Sequence, residues 1–439
     1  MTHLTARKKK STAASQGVRK TTVNTQRISQ SASKKAHHAA GRPIGHAVIL
    51  CAGKSTRTVP LTLTRPKPLL WAGNTTLIEH LLTQVLGLVE EVILVIGYKQ
   101  TMIKEHIGER WNGLRIRYVI QNSQEGTGHA LALCRKNVSG RFYVLNSDDL
   151  YFQEDLKELG KHENALLVKA SETPERFGQV ICEGGCLKRI AEKSAVVQSG
   201  IVNTGAYVLT DAVFLILEGL SKSPRGEYEL TDALNVLAQK SAVQVVEAGT
   251  WVPVSYAWDL LAANEALLGR ITASSVSGMI EKNVTVHGHL VIGEGSVIRS
   301  GSYIIGPVAI GRNCTIGPNA IIRGATSIGD RCRVGPAEIK NSIFFPHVRC
   351  DHVSYIGDSV LGEGAHIGAQ TVTANLRHDS ASIKSMVDGE LVDTGRRKLG
   401  VILGDYVDTG IHTSFYPGRK MWPKTGTAPG EIVKKDIVS

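Results

Sequence analysis

The stretch "VHGHLVIGEGSVIRSGSYIIGPVAIGRNCTIGPNAIIRGATSIGDRCRV", Val286 to Val334, decides the architecture of the C-terminal half. Every sixth residue in it is β-branched: Val286, Ile292, Ile298, Ile304, Ile310, Ile316, Ile322, Ile328 and Val334. Glycine follows directly at Gly293, Gly311, Gly317, Gly329 and Gly335. A helix cannot keep a period of six on one face. A parallel β-helix of hexapeptide repeats does, because each side of its triangular coil turns one apolar residue inward. One coil takes about 18 residues, so Cys314 and Cys332 are expected to stack about 4.8 Å apart. Cys350 joins them if the coil is not displaced. The frame slips after Val334: Leu361, Ile367 and Thr373, then Leu403, Thr409 and Phe415, fit a frame shifted by three, which predicts an irregular coil near 339–354. A second break, Ala374 to Gly400, is rich in cations (Arg377, Lys384, Arg396, Arg397, Lys398) and reads as an excursion for binding or subunit contact.

From His46 to about Ser274 the period differs. Short β-branched runs, "HAVILCAG", "EEVILVIGY", "LRIRYVIQN" and "RFYVLNSDD", alternate with helical patterns such as "TTLIEHLLTQVLG". That alternation predicts an α/β domain with a largely parallel sheet, whose ligands sit beyond the carboxyl ends of its strands. Ala52-Gly53 and Asn146 to Asp149 occupy such ends. The first of them opens "LCAGKSTRTVPLTLTRPKPLL", Leu50 to Leu70, where Lys54, Arg57, Arg65 and Lys67 follow a glycine turn with no acid between them. Backbone N–H groups after Gly53, with cations behind them, make a phosphate cradle.

Composition sets the outer bounds. The chain has 439 residues, 42% hydrophobic and 21% charged, and no apolar run near the roughly 20 residues a membrane helix needs. Its net charge of +12 is uneven: residues 1–40 hold nine Lys or Arg and no acid, leaving +3 for the rest. Nucleic acid is therefore not an expected partner of the folded part. Residues 1–44 read as a disordered basic tail, whose acid-free, Ser/Thr-rich composition also suits a transit peptide. Residues 45–274 and 275–439 read as the two domains. Seven cysteines without C-x-x-C spacing argue for a reducing compartment, taken to be the cytoplasm, and against a zinc site.

The Leu50–Leu70 stretch resembles the sugar-phosphate nucleotidyltransferase signature. Together with the β-helix, it makes residues 46–439 similar to the archaeal form of the bifunctional N-acetylglucosamine-1-phosphate uridylyltransferase and glucosamine-1-phosphate acetyltransferase family. The resemblance implies a Rossmann-like mixed sheet followed by a left-handed β-helix. It implies that Ala52, Gly53 and Lys54 cradle a triphosphate, with Arg57 and Lys67 supplying charge at the α-phosphate. In "QNSQEGTGHAL", Gln121 would bond the pyrimidine while Gly126 and Thr127 let the backbone approach the nucleotide. In "LNSDDL", Asp148 would hold Mg²⁺. "RFGQV" places Gly178 beside the sugar, "AEKS" places Glu192 on its hydroxyls and Lys193 near its phosphate, and "VNTGAY" adds Asn203. Ser55 and Ser147 stand where the family has glycine. Pro253, in "WVPVSYAWDLL", stands where a second metal carboxylate is expected, which leaves Asp149 or a displaced group to complete the site.

"DHVSYIGDSVLGEGAHIGAQTVTANLRHD" resembles the acetyltransferase signature. His352 would then be the general base, Tyr355 and Asn375 would position the sugar and thioester, and Arg323, Lys340 and Lys384 would bind phosphate. Ala381 stands where the archaeal pattern has a further lysine. The implied reactants are acetyl-CoA, UTP or dTTP, and a hexose or hexosamine 1-phosphate; the implied assembly is a homotrimer or a multiple of it. Two other readings are open: a glucose-1-phosphate thymidylyltransferase or uridylyltransferase whose β-helix only oligomerises, and a catalytically dead sugar-nucleotide-binding regulator.

Overall fold

The computed structural model describes residues 44–192 and 198–439. In the N-terminal region, ten strands form one mixed sheet. From edge to edge it runs Gln179–Glu183, Cys186–Ala191, Gln244–Glu247, Ala165–Ala170, Ile201–Thr210, Arg141–Asn146, His46–Cys51, Glu91–Ile96, Leu114–Ile120 and Arg110–Trp111. His46–Cys51 is parallel to both neighbours, and Glu91–Ile96, beside it, is apolar after its first residue and buried throughout, as a strand covered on both faces must be. Ile201–Thr210 runs antiparallel to all three of its partners, which makes the sheet mixed. The carboxyl ends of His46–Cys51 and Arg141–Asn146 lie side by side, with Leu50 paired to Asn146.

The C-terminal region is the left-handed parallel β-helix that the hexads describe. Two walls have eight strands and the third has five. Ile304 pairs with Ile322, Ile310 with Ile328, and Ile316 with Val334, so one coil is 18 residues and the inward ladder is β-branched. All six of these side chains are buried.

Beyond Val334 the structure corrects the expected irregular coil. Ile322 pairs with Ile339, Ile328 with Phe344, and Ile356 lies over Ile339, which shortens successive coils. The buried series runs Val334, Ile339, Phe344, Cys350, Ile356, Leu361, Ile367, Thr373. Three of its steps are five residues long instead of six. The three-residue frame shift is thus spread over three tightened corners, at 335–338, 340–343 and 357–360. Cys314 and Cys332 are register neighbours, flanking the Thr315–Arg333 pair, but Val334 pairs with Cys350. Cys350 therefore continues the ladder of Ile316 and Val334 and does not stack with the other two thiols. The excursion folds into a hairpin, Lys384–Val387 with Glu390–Asp393, and the wall resumes with Val372 against Ser414.

The two regions share a core. Helix Asp259–Leu268 and the turns around Leu61, Leu70 and Leu77 bury Leu260, Leu261 and Trp258 against Ile343, Phe345, Val360 and Ile402 of the β-helix. Each large apolar side chain buried there contributes roughly 1.5–3 kcal/mol, so the loops after the first strand are built against the coil. Among the described residues no helix is long and apolar enough to cross a membrane.

Candidate functional site

Seven of the residues singled out in the N-terminal half line one cleft of about 300 Å³: Ala52, Gly53, Lys67, Gln121, Gly126, Thr127 and Asp148. Its floor is the pair of strand ends just described, and Asn146, Ser147, Gln124 and Glu227 also face it. Lys67 is buried and donates from Nζ to Asp148 Oδ2 at 2.6 Å, while the Asp148 side chain is 36% exposed. A desolvated ammonium and a half-open carboxylate therefore meet at the mouth of the cradle.

The loop around them is shaped by local bonds. Ser55 has φ 55° and ψ 56°, the left-handed conformation that favours glycine, which is the residue the family pattern has at this position. Its carbonyl accepts from Thr58 Oγ1 at 2.8 Å and Thr62 Oγ1 at 3.1 Å, bonds that hold the strained turn. Gly126 has φ 102°, and a Cβ there would lie 2.5 Å from the carbonyl oxygen of Tyr228, so only glycine fits. The strap Glu227-Tyr228 thus packs on the Gly126–Gly128 turn, with Gly128 N–H donating to Tyr228 O at 2.7 Å.

The three remaining cations of the loop do not line the cleft. Arg65, one of the four in the opening segment, turns to the β-helix: its Nη2 donates to Asp405 at 2.6 Å and Glu363 at 2.8 Å. Arg65 is thus a structural tie and is not part of the anion cradle. Arg57 is exposed and lies over the Tyr256 ring at 5.5 Å. Tyr256 stacks on Trp258 at 4.6 Å, and the buried Lys420 of the β-helix lies 5.4 Å from the Trp258 ring. Lys54 is exposed and does not line the cleft.

Gly178, Glu192 and Asn203 form a second group. Asn203 N–H donates to Gly178 O at 2.8 Å, and a Cβ on Gly178 would lie 3.3 Å from Glu192 Oε1. Arg225, which the sequence reading passed over, reaches Glu192 at 3.3 Å and Glu229 at 2.7 Å. Lys193 lies outside the described residues.

The carboxylates bear on the metal. Pro253 pairs with Asp149 in a short ladder, Val252 with Leu150 beside it, so the proline does stand next to the acidic turn. Burial and the neighbouring Asp148 push the Asp149 carboxyl up to about 8, and the Tyr151 hydroxyl donates to its Oδ2 at 3.3 Å. Asp148 alone keeps an open carboxylate with one oxygen committed. Among the described residues no three acids, histidines or cysteines cluster. That donor set fits Mg²⁺ in its usual form, held by one or two carboxylates and the phosphates of a substrate.

In the β-helix, Arg323, Lys340 and Gly357 are register neighbours on one wall. The buried Asp358 gathers the site: it accepts from Lys340 Nζ at 2.8 Å, Asn375 Nδ2 at 2.6 Å and Asn341 Nδ2 at 2.9 Å. Asn375 Nδ2 also reaches Tyr355 Oη at 3.2 Å. Asp358 was legible as the acid of the Ile-Gly-Asp run but had been given no role. Arg323 bonds Glu338 at 2.6 Å. His352 is exposed, three residues before the strand Tyr355–Gly357. Lys384 is apart from these, on the hairpin, where with Arg377, His378, Tyr416 and Arg419 it lines a groove of about 830 Å³.

The sequence also matches known proteins. The nucleotidyl transferase family profile matches residues 46–270, and the GMPPB C-terminal domain profile matches residues 304–413. The bifunctional protein GlmU of Methanococcus maripaludis (strain S2 / LL) is 39% identical over 398 residues, spanning 89% of this chain and 95% of that protein. That of Methanocaldococcus jannaschii is 36% identical over 396 residues, 90% of this chain and 96% of its own length. A bifunctional sugar-1-phosphate nucleotidylyltransferase/acetyltransferase of Sulfurisphaera tokodaii is 33% identical over 400 residues, 89% of this chain and 98% of its own.

Proposed function

The chain belongs to the bifunctional GlmU family, and on that premise we propose that it makes UDP-N-acetylglucosamine in two steps. Glucosamine 1-phosphate is first acetylated from acetyl-CoA; UMP is then transferred from UTP to the resulting N-acetylglucosamine 1-phosphate, and pyrophosphate leaves. The observation that carries the reading is the meeting of Ala52, Gly53, Lys67, Gln121, Gly126, Thr127 and Asp148 in one cleft, in a chain that aligns with its bifunctional relatives over nearly their whole length.

In the nucleotidyl step, Ala52 and Gly53 present backbone to the triphosphate and Lys67 neutralises charge on the α-phosphate, with Lys54 and Arg57 closing on the bound phosphates. Gln121 bonds the base, and Gly126 and Thr127 let it approach. Gly178, Glu192, Lys193 and Asn203 hold the sugar phosphate so that its oxygen attacks the phosphorus in line. Asp148 would hold Mg²⁺, which supplies charge neutralisation on the phosphates when bound. In the acetyl step, His352 removes the proton from the 2-amine, Tyr355 and Asn375 orient sugar and thioester, and Arg323, Lys340 and Lys384 hold phosphate groups. Asp358 fixes Lys340 and Asn375 for that task.

The working unit is proposed to be a homotrimer or a multiple of it. Tyr303 and Ile321 are register neighbours on the outside of one wall, with Val372 and Ile432 further along the same column beyond Glu338, Tyr355 and Ser414; the four apolar side chains are 40–56% exposed and a second copy would cover them. Seven unpaired thiols support a reducing, cytoplasmic setting.

The test is a pair of assays on one preparation. Thiol release from acetyl-CoA is expected with glucosamine 1-phosphate and not with glucosamine 6-phosphate. Pyrophosphate release from UTP is expected with N-acetylglucosamine 1-phosphate and Mg²⁺. Thiol release absent with every amino sugar would reduce the β-helix to a scaffold.

A further inference from the structure

Gln121 follows the strand Leu114–Ile120 and anchors through its own N–H to Ile96 O at 2.8 Å. Its side chain is buried at the cleft wall, with Nε2 3.1 Å from Gly126 O and 3.1 Å from His129 Nδ1. A carbonyl oxygen only accepts, so the Gln121 atom facing Gly126 O is the amide nitrogen, whatever the state of the histidine. His129 Nδ1 must then accept the second hydrogen, which puts the ring proton on Nε2. Both donors of the amide are spent inside the protein, and Oε1 is its one uncommitted polar atom.

We propose that His129 is a positioning residue for base selection: by accepting from Gln121 it presents the amide oxygen to the cleft and sets a preference for uracil-type over cytosine-type nucleotides. The inference rests on the reading of the cleft as a pyrimidine-nucleotide site and extends it to a residue that touches no substrate. Uracil offers N3–H, a donor that Oε1 accepts. Cytosine offers a lone pair at N3, which Oε1 repels. Thymine shares the uracil edge, so the device does not separate UTP from dTTP.

Without an acceptor at the position of Nδ1, one amide hydrogen of Gln121 is left unpartnered and the side chain is free to turn. Turning it sets Oε1 against the carbonyl of Gly126. Either way the fixed alignment of Oε1 is lost, and discrimination falls.

The experiment measures kcat/KM for UTP and for CTP, with N-acetylglucosamine 1-phosphate, at one fixed pH. The ratio cancels whatever the two nucleotides share. His129→Phe, which has no acceptor, should lose about tenfold of the UTP preference, the size of one hydrogen bond, mainly through the KM for UTP. His129→Asn, whose Oδ1 takes the place of Nδ1, should keep the preference. Thiol release from acetyl-CoA by the same preparations reports that each variant is folded. A His129→Phe enzyme with the wild-type ratio overturns the proposal, as does a His129→Asn enzyme indistinguishable from His129→Phe. A wild type that turns over neither nucleotide instead overturns the nucleotidyl-transfer reading, and the proposal with it.

Discussion

Arg65 donates from Nη2 to Asp405 Oδ2 across 2.6 Å and so ties the loop that carries Lys67 to the β-helix. Thr64 Oγ1 reaches the same oxygen at 2.6 Å, and Asp405 Oδ1 accepts the Glu363 N–H at 2.8 Å. Asp405→Ala removes the better-buried partner of a buried guanidinium. Breaking such a pair costs about 3–5 kcal/mol, and the surviving Glu363 contact sets the expected loss near about 3 kcal/mol. Denaturant unfolding of the variant measures it, and a loss under about 1 kcal/mol would show the tie to be ornamental. The substitution lies in the β-helix, yet nucleotidyl transfer should fall more than acetyl transfer.

Asp148→Asn removes both the partner of Lys67 and the open carboxylate. Loss of one charged contact to a transferring phosphoryl group is worth about 100-fold or more in kcat, so pyrophosphate release should fall by at least that much. Thiol release from acetyl-CoA should be unchanged. An Asp148→Asn enzyme with near-normal pyrophosphate release would move the metal elsewhere.

Gly126→Ala tests the strap. The added methyl would sit 2.5 Å from Tyr228 O in a conformation with φ 102°, so the turn must open. UTP binding, followed by calorimetry, should weaken more than about tenfold, because about 1–3 kcal/mol of backbone strain falls on the turn proposed to admit the base. Unchanged affinity would mean that the nucleotide does not use this turn.

Lys420 gives a pH signature. It donates to Met386 O at 2.6 Å, and burial lowers its pKa from 10.5 to about 8. The protonated form is the one burial disfavours. Its penalty is complete below about pH 8 and is relieved as pH rises towards 10.5, because the unfolded chain binds the proton more tightly. At about 1.4 kcal/mol for each pH unit, the relief amounts to about 3 kcal/mol. Wild-type stability should therefore gain on Lys420→Met over that interval and on no other account. Parallel curves for the two proteins between pH 8 and 10 would refute the assignment.

Much of this was legible because period and spacing are local. The hexads from Val286 to Val334 specify the inward ladder, since each coil pairs only with its neighbours. The cleft was legible because its residues follow strand ends. What escaped depends on contacts across the chain. Arg65 reads as one of four loop cations until Asp405, 340 residues away, takes it. The one-residue corners escaped because shortening a turn leaves no mark on composition, only a drift that accumulates to three by Leu361. Cys350, expected beside the other two thiols only in an undisplaced coil, pairs with Val334 for the same reason. His129 looked like one of 15 histidines until its Nδ1 was found on Gln121.

The most direct measurement of the central claim is chromatographic detection of UDP-N-acetylglucosamine made by His352→Ala and by wild type from two starting sugars, with UTP, acetyl-CoA and Mg²⁺ present. Wild type should form it from both glucosamine 1-phosphate and N-acetylglucosamine 1-phosphate, and His352→Ala should form it only from the second. Product from glucosamine 1-phosphate at the wild-type rate in His352→Ala would contradict the acetyl-transfer site, and no product from N-acetylglucosamine 1-phosphate in wild type would contradict the account as a whole.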